Sequence, residues 1–178
     1  MGVVRAARPA KLVMSLIASE VKLLEEVLSL LERRYGEVDF KSPLLPFDWT
    51  DYYEREMGKG LLRYFVSFLP LIERESLVRI KLETNEIEGE YAKEDGRRRI
   101  NIDPGYLTAE HLILATTKSY AHRPYLGEGI YADLTLLYRG GEFRPLEWTY
   151  PDYASEGVRQ IFKGIRERYL AQLRGEKG

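Results

Sequence analysis

The sequence predicts an α+β fold: a ferredoxin-like β-α-β-β-α-β core extended by a C-terminal antiparallel meander and a closing helix. Three observations predict it. A nearly continuous apolar run near the start reads as a central strand. Two segments carry apolar residues at helical spacing between strand-like stretches. Glycine-punctuated β segments crowd the region after residue 117. With 178 residues the chain can close one sizeable core, and we read residues 1–10 as a flexible lead-in to a single α+β domain over 11–178.

Residues 11–17, Lys-Leu-Val-Met-Ser-Leu-Ile, alternate little between apolar and polar, as a strand covered on both faces requires. Ser19 stands where a helix N-cap belongs, and Glu20 suits a first turn. Val21, Leu24, Val27 or Leu28, Leu31 and Tyr35 then recur at helical spacing until Gly36 stops the run. Residues 38–47 read as extended, and Pro43 and Pro46, which cannot donate to a ladder, assign them to an edge. A polar aromatic loop follows from Asp48 to Tyr53, with a helical turn running on to Gly58. Residues 61–69 are strand-like again. From 73 to 91, Leu77, Ile80, Thr84, Ile87 and Tyr91 keep a 3-4-3-4 rhythm that lays one helix face on a sheet.

After a charged turn at 93–96, residues 98–102 form the next strand, which Asp103-Pro104-Gly105 breaks. Thr108 caps a short helix ending near residue 116. Segments 118–125, 130–139 and 142–148 are separated by Gly127-Glu128-Gly129 and by Gly140-Gly141, the turn chemistry of a three-stranded meander. Ile130, Ala132, Leu134, Leu136 and Tyr138 share its core face. The last element is a helix over 155–173, with Val158, Ile161, Phe162, Ile165 and Tyr169 turned inward.

Composition removes several function classes. There is no cysteine, which excludes disulfides, thiolate metal ligands and a cysteine nucleophile and makes the cytoplasm the expected compartment. The apolar stretch 12–18 is too short to span a membrane. With 27 basic and 28 acidic residues the net charge is -1, so no global field draws the protein to nucleic acid or to an anionic lipid surface. Arg97-Arg98-Arg99 is offset by Glu94 and Asp95, which argues against nucleic acid as a partner. Charged residues reach 31% while Asn85, Asn101, Gln160 and Gln172 are the only amides, a thermophile-like bias.

The strong chemical motifs are absent. No phosphate loop of the G-x-x-x-x-G-K-[ST] type, no G-x-G-x-x-G, no H-E-x-x-H and no G-x-S-x-G occurs. Two histidines, His111 and His122, cannot build a multi-histidine zinc site, and no metal ligands are assigned, although carboxylates could collect Mg²⁺ or Mn²⁺.

The most informative stretch runs from Lys118 to Asp133. If its hairpin closes around Gly127-Glu128, His122 lies opposite Asp133, and Lys118, Tyr120, Tyr131 and Trp148 share their face. A histidine oriented by a carboxylate is a candidate general base, so His122 and Asp133 are the catalytic candidates. Lys118, Arg123, Tyr120 and Tyr131 are the ligand-binding candidates around them. The same pattern also describes an outward ion pair worth under ~1 kcal/mol on an aromatic strand. Asp48 and Asp51 in the loop before Tyr52 are further ligand-binding candidates. Turn and helix capping is the commoner use of such residues.

The segments P-F-D-W-T-D-Y-Y at 46–53, N-I-D-P-G-Y-L-T at 101–108, Y-A-H-R-P-Y-L-G-E-G-I-Y-A-D-L-T-L-L-Y at 120–138 and W-T-Y-P-D-Y at 148–153 resemble domain-of-unknown-function family 4416. That group comprises bacterial and archaeal proteins of about this length. The resemblance implies one module over most of the chain and carries no reaction to transfer to any residue. The site residues themselves point to an uncharacterised protein that binds a small anionic or phosphorylated ligand and could hydrolyse it. The alternative is a non-catalytic protein-interaction module, a homodimer through the tyrosine-rich face. No cofactor is assigned.

Overall fold

The computed structural model describes residues 1–175. The apolar run near the N-terminus is strand β1 (Ala10–Ala18), and every residue in it is buried. Both of its edges are paired, as such burial demands: β4 (Leu62–Ile72) lies on one side and β5 (Ile100–Leu107) on the other, each antiparallel. Around them stand β2 (Val38–Lys41), β3 (Leu45–Pro46), β6 (His111–Thr116), β7 (Tyr125–Gly127), β8 (Ile130–Arg139) and β9 (Glu142–Pro145). The result is a large mixed α/β architecture on one nine-stranded antiparallel sheet of order β2-β4-β1-β5-β6-β8-β7, with β3 on β4 and β9 on β8. Pro43 and Pro46 do fall at the edge, between and within β2 and β3.

Helices α1 (Val21–Tyr35) and α3 (Ser76–Glu90) cover one face, where Leu24, Val27, Leu31, Ile80 and Ile87 pack on Leu12, Met14, Leu16, Val66 and Ile102. Helix α5 (Glu156–Leu173) covers part of the other, with Val158, Phe162, Ile165 and Tyr169 against Val13, Phe65, Leu107 and Leu112. Burial of each such side chain contributes roughly 1.5–3 kcal/mol. Further along that face, Ile17 packs on Phe47, Met57 and Leu61 of the loop around the short helix α2 (Glu54–Met57). Lys11 is fully buried among these apolar neighbours because its ammonium meets Asp39 of β2 and Gln172 of α5. Burial pushes its pKa down, with Asp39 opposing.

Several expectations are corrected. Glu20, not Ser19, occupies the N-cap of α1, and no side chain caps it: Glu20 keeps extended backbone and its carbonyl begins the helix by accepting Leu24 N–H. Strand β5 runs through Asp103-Pro104-Gly105, because the chain stays paired with β1 on the edge that does not need the missing proline N–H. Thr108 does cap, but it caps a tight β turn. Its Oγ1 accepts from the N–H groups of Glu110 and His111, and Thr108 N–H bonds His111 O, so residues 111–116 fold back as β6 and no helix forms.

The region after residue 117 also differs from the expected meander. Residues 118–124 are loop, and only Tyr125–Gly127 forms a strand. Strand β6 takes one whole edge of β8, while β7 and β9 share the other end to end. The turn at Gly140-Gly141 is the two-residue hairpin expected, both glycines having positive φ (61° and 82°). Within β8, Leu112 pairs with Leu136 but Ile113 pairs with Leu134, so Thr135 is an extra residue in a β-bulge. That extra residue flips the alternation. Ile130 and Leu134 pack toward α3 and Leu136 and Tyr138 toward α5, so the five residues do not share one face. A short helix α4 (Pro151–Ala154), with Pro at its first position, precedes α5.

Candidate functional site

Pairing between β5 and β6 is brief. Gly105, Tyr106 and Leu107 face Leu114, Ile113 and Leu112, and the ladder stops there although β5 begins at Ile100 and β6 continues to Thr116. Pro104 is next in line and has no N–H to give a partner strand, so pairing cannot propagate past it. Beyond that point the two strands form the banks of a cleft of about 630 Å³. Gly105 is the pinch: a Cβ there would lie 2.4 Å from the Ile113 carbonyl oxygen.

Helix α3 supplies the floor. Lys81 Nζ donates to the Ile102 carbonyl at 3.3 Å, and Ile102 N–H donates to Glu88 Oε1 at 2.7 Å. Two buried peptide groups that lack a strand partner are satisfied in this way, each worth ~1–3 kcal/mol if left unpaired. Lys81 Nζ also lies 3.6 Å from Asp103, and Arg98 Nη1 lies 3.7 Å from Glu88. Burial raises the Glu88 carboxyl above the usual range, against the opposing pull of Ile102 N–H, Lys81 and Arg98.

The walls carry the remaining charges. Arg63 of β4 is 4% exposed, and its guanidinium lies over the rings of Phe47 and Phe65. It donates through Nε to Ser15 Oγ at 2.9 Å and through Nη1 to Asp152 Oδ2 at 2.6 Å. Arg98 forms a bidentate pair with Glu56 of α2, at 2.9 and 2.7 Å, and this hydrogen bonding raises its pKa further. It also donates to Asn101 Oδ1, and Asn101 Nδ2 donates to Asp103 Oδ2. Asn85 of α3 lines the same floor. Trp49, Tyr52 and Tyr150 form an aromatic rim, 50%, 57% and 59% exposed. Lys118 Nζ donates to Tyr52 OH at 3.0 Å, and this bond lowers the phenol's pKa.

His122 Nε2 and Asp133 Oδ2 lie 3.2 Å apart, but the contact is not made by the expected register. His122 belongs to the loop, while the strand pairing sets Tyr131 opposite Tyr125. Arg123 Nε donates to the same carboxylate oxygen at 2.8 Å, and Thr135 Oγ1 reaches Oδ1 at 3.3 Å. His122 stacks on Trp148 at 4.8 Å, and Trp148 Nε1 is itself fixed to Leu134 O. Lys118, Arg123 and Asp133 line the cleft; His122, Tyr120 and Trp148 line a shallow depression beside it. Tyr131 packs its ring on Tyr125 at 5.1 Å. From the 46–53 loop, the cleft lining takes Phe47, Trp49, Thr50, Tyr52 and Tyr53, while Asp48 and Asp51 are exposed and stand outside it.

Sequence reasoning missed Arg63, Lys81, Asn85, Glu88, Arg98 and Asn101 as a set. One signal was present: Lys81, Asn85 and Glu88 each follow a member of the α3 stripe, Ile80, Thr84 and Ile87, which places them on the edge of the inward face. Asp103 and Asp152 lie in segments of turn-like composition, and the structure places both on the cleft lining. Among the described residues no three His, Asp or Glu side chains cluster as metal ligands, and no helix is long and apolar enough to cross a membrane.

No curated protein and no solved structure matches this chain. One family does, described as a domain of unknown function, DUF4416, and its match covers residues 8–169 of the 178. With nearly the whole chain matched, the protein belongs to the DUF4416 family.

Proposed function

We propose that the chain is a small-molecule binding protein whose cleft seats an anionic group of its ligand at Lys118. One observation carries this reading. Every other cation of the lining already faces a carboxylate: Arg63 with Asp152, Lys81 with Asp103, Arg98 with Glu56 and Arg123 with Asp133. The Lys118 ammonium has a phenol as its hydrogen-bond acceptor. An ammonium unmatched by a carboxylate at the mouth of a concave site attracts an anion. Asp133, held by three side chains, positions Arg123 in the cleft and His122 beside it, and hydrolysis of a ligand that extends into that neighbouring depression would draw on His122 as the base. Asp48, Asp51, Tyr120 and Tyr131 are left without a ligand contact in this reading.

The strand order β2-β4-β1-β5, with α1 and α3 on one face, supports taking the first half as a ferredoxin-like unit within one domain over 11–178. Titration calorimetry with inorganic phosphate and with simple carboxylates tests the binding reading. Saturable binding, weakened about tenfold in Lys118→Ala, is expected; equal affinity in the variant would remove the site.

A second reading is favoured by the surface around β7. Tyr120, Tyr125 and Leu126 are 70%, 61% and 43% exposed there, at the last strand of the sheet. An interaction module docking through this patch predicts no heat with any small anion and a chain that sediments as a dimer.

A further inference from the structure

Resting on that binding reading, we infer that the ligand is a hydroxylated ring bearing one acidic group, a sugar phosphate or a sugar acid. Four cations are each paired with a carboxylate and Glu88 adds a further one, so floor and walls offer no surplus positive charge to a polyanion. What remains is a mixture of donors and acceptors at close range. The Asn85 amide has no hydrogen-bond partner among the described residues, and the Asn101 amide is already aligned between Arg98 and Asp103. The carboxylates of Glu88 and Asp103 lie beside them, and the side chains of Thr50, Thr116 and Thr117 complete the lining.

A hydroxyl donates once and accepts twice, so a surface that interleaves planar amides, carboxylates and guanidinium groups fits a run of hydroxyls. A simple anion would leave the acceptors' remaining capacity unused, and a purely apolar ligand would desolvate that capacity without replacing its water. Trp49, Tyr52 and Tyr150 stand half-exposed at the rim, and aromatic rings stack on the C–H face of a sugar ring as they do on other flat apolar surfaces. Lys118 touches one of those aromatics, its Nζ 4.7 Å from the Tyr52 ring centre, so acidic group and ring would be met side by side. The cleft, about 630 Å³, is of the size that encloses a monosaccharide derivative with its water.

The test is titration calorimetry of the full chain with a panel of hexose phosphates, pentose phosphates and hexuronates. The parent neutral sugars, inorganic phosphate and benzoate serve as separate arms. At least one acidic sugar binds ten times tighter than both inorganic phosphate and its neutral parent. Binding by phosphates against hexuronates tells which acid is recognised. Asn85→Ala and Trp49→Ala each weaken that sugar about tenfold while leaving inorganic phosphate unchanged. Trp49→Phe, which keeps a stacking face, stays within a few-fold of wild type. If inorganic phosphate or benzoate binds as tightly as every sugar, the sugar assignment fails and the anion reading stands. If no anionic probe binds, both fail.

Discussion

His111 shows how one side chain sets a pH response. Its Nε2 is the single buried side-chain polar atom without a hydrogen-bond partner among the described residues. Burial lowers its pKa below 6.5, against the pull of Glu110. The folded state therefore holds fewer protons than the unfolded one between that lowered value and 6.5. Stability is fully present above 6.5 and is lost as pH falls through that window. His111→Leu removes both the unpaired atom and the titration. Urea unfolding should show a gain of about 1 kcal/mol at neutral pH and a flatter acid limb; an unchanged slope between about pH 7 and 5 would contradict the assignment. Nothing in the sequence marks this histidine, because an orphaned nitrogen is a property of its neighbours.

At the scale of elements, proline and glycine decide where the sheet closes. The dipeptide Pro104-Gly105 reads as a turn in isolation, and that reading fails because β1 offers a paired edge on its other side. The proline then ends one ladder while the strand continues, and the glycine lets β6 approach. Gly105→Ala would put Cβ 2.4 Å from Ile113 O and 2.7 Å from Leu114 Cδ2. Both belong to the adjoining strand, so the variant should lose ~2–4 kcal/mol, checked by chemical denaturation. Stability within 0.5 kcal/mol of wild type would mean that β5 and β6 are not pinched there. Helix α3, in contrast, was legible: its stripe appears at the predicted residues, with Leu77, Ile80, Thr84 and Ile87 fully buried. The helix expected after Thr108 failed for a physical reason, since a threonine hydroxyl caps turns and helices by the same bonds.

Across the whole molecule, the sequence made the central strand, the flanking helices and the Gly140-Gly141 hairpin readable, because each follows from local spacing. The cleft was not readable. It gathers Phe47, Arg63, Glu88, Asp103, Asp133 and Asp152, residues that share no spacing and meet only when five separate elements and a loop assemble. The His122 and Asp133 contact was found by a register that does not exist, rescued by a loop that carries the imidazole to the same carboxylate. Arg63 and Lys81 illustrate the general point: an isolated charge in an apolar pattern signals an internal partner, but not which one.

Ile102 carries a consequence of that assembly. Its amide hydrogen is retained by the carboxylate of Glu88, on a helix, while neighbouring amides of the same strand are retained by β1. Hydrogen–deuterium exchange should therefore be separable along β5. In Glu88→Ala the Ile102 amide should exchange on the order of 100-fold faster, with the amides facing β1 keeping their wild-type protection. Uniform loss of protection along the strand would mean instead that α3 and the sheet open as one unit, with no independent hold on that single peptide.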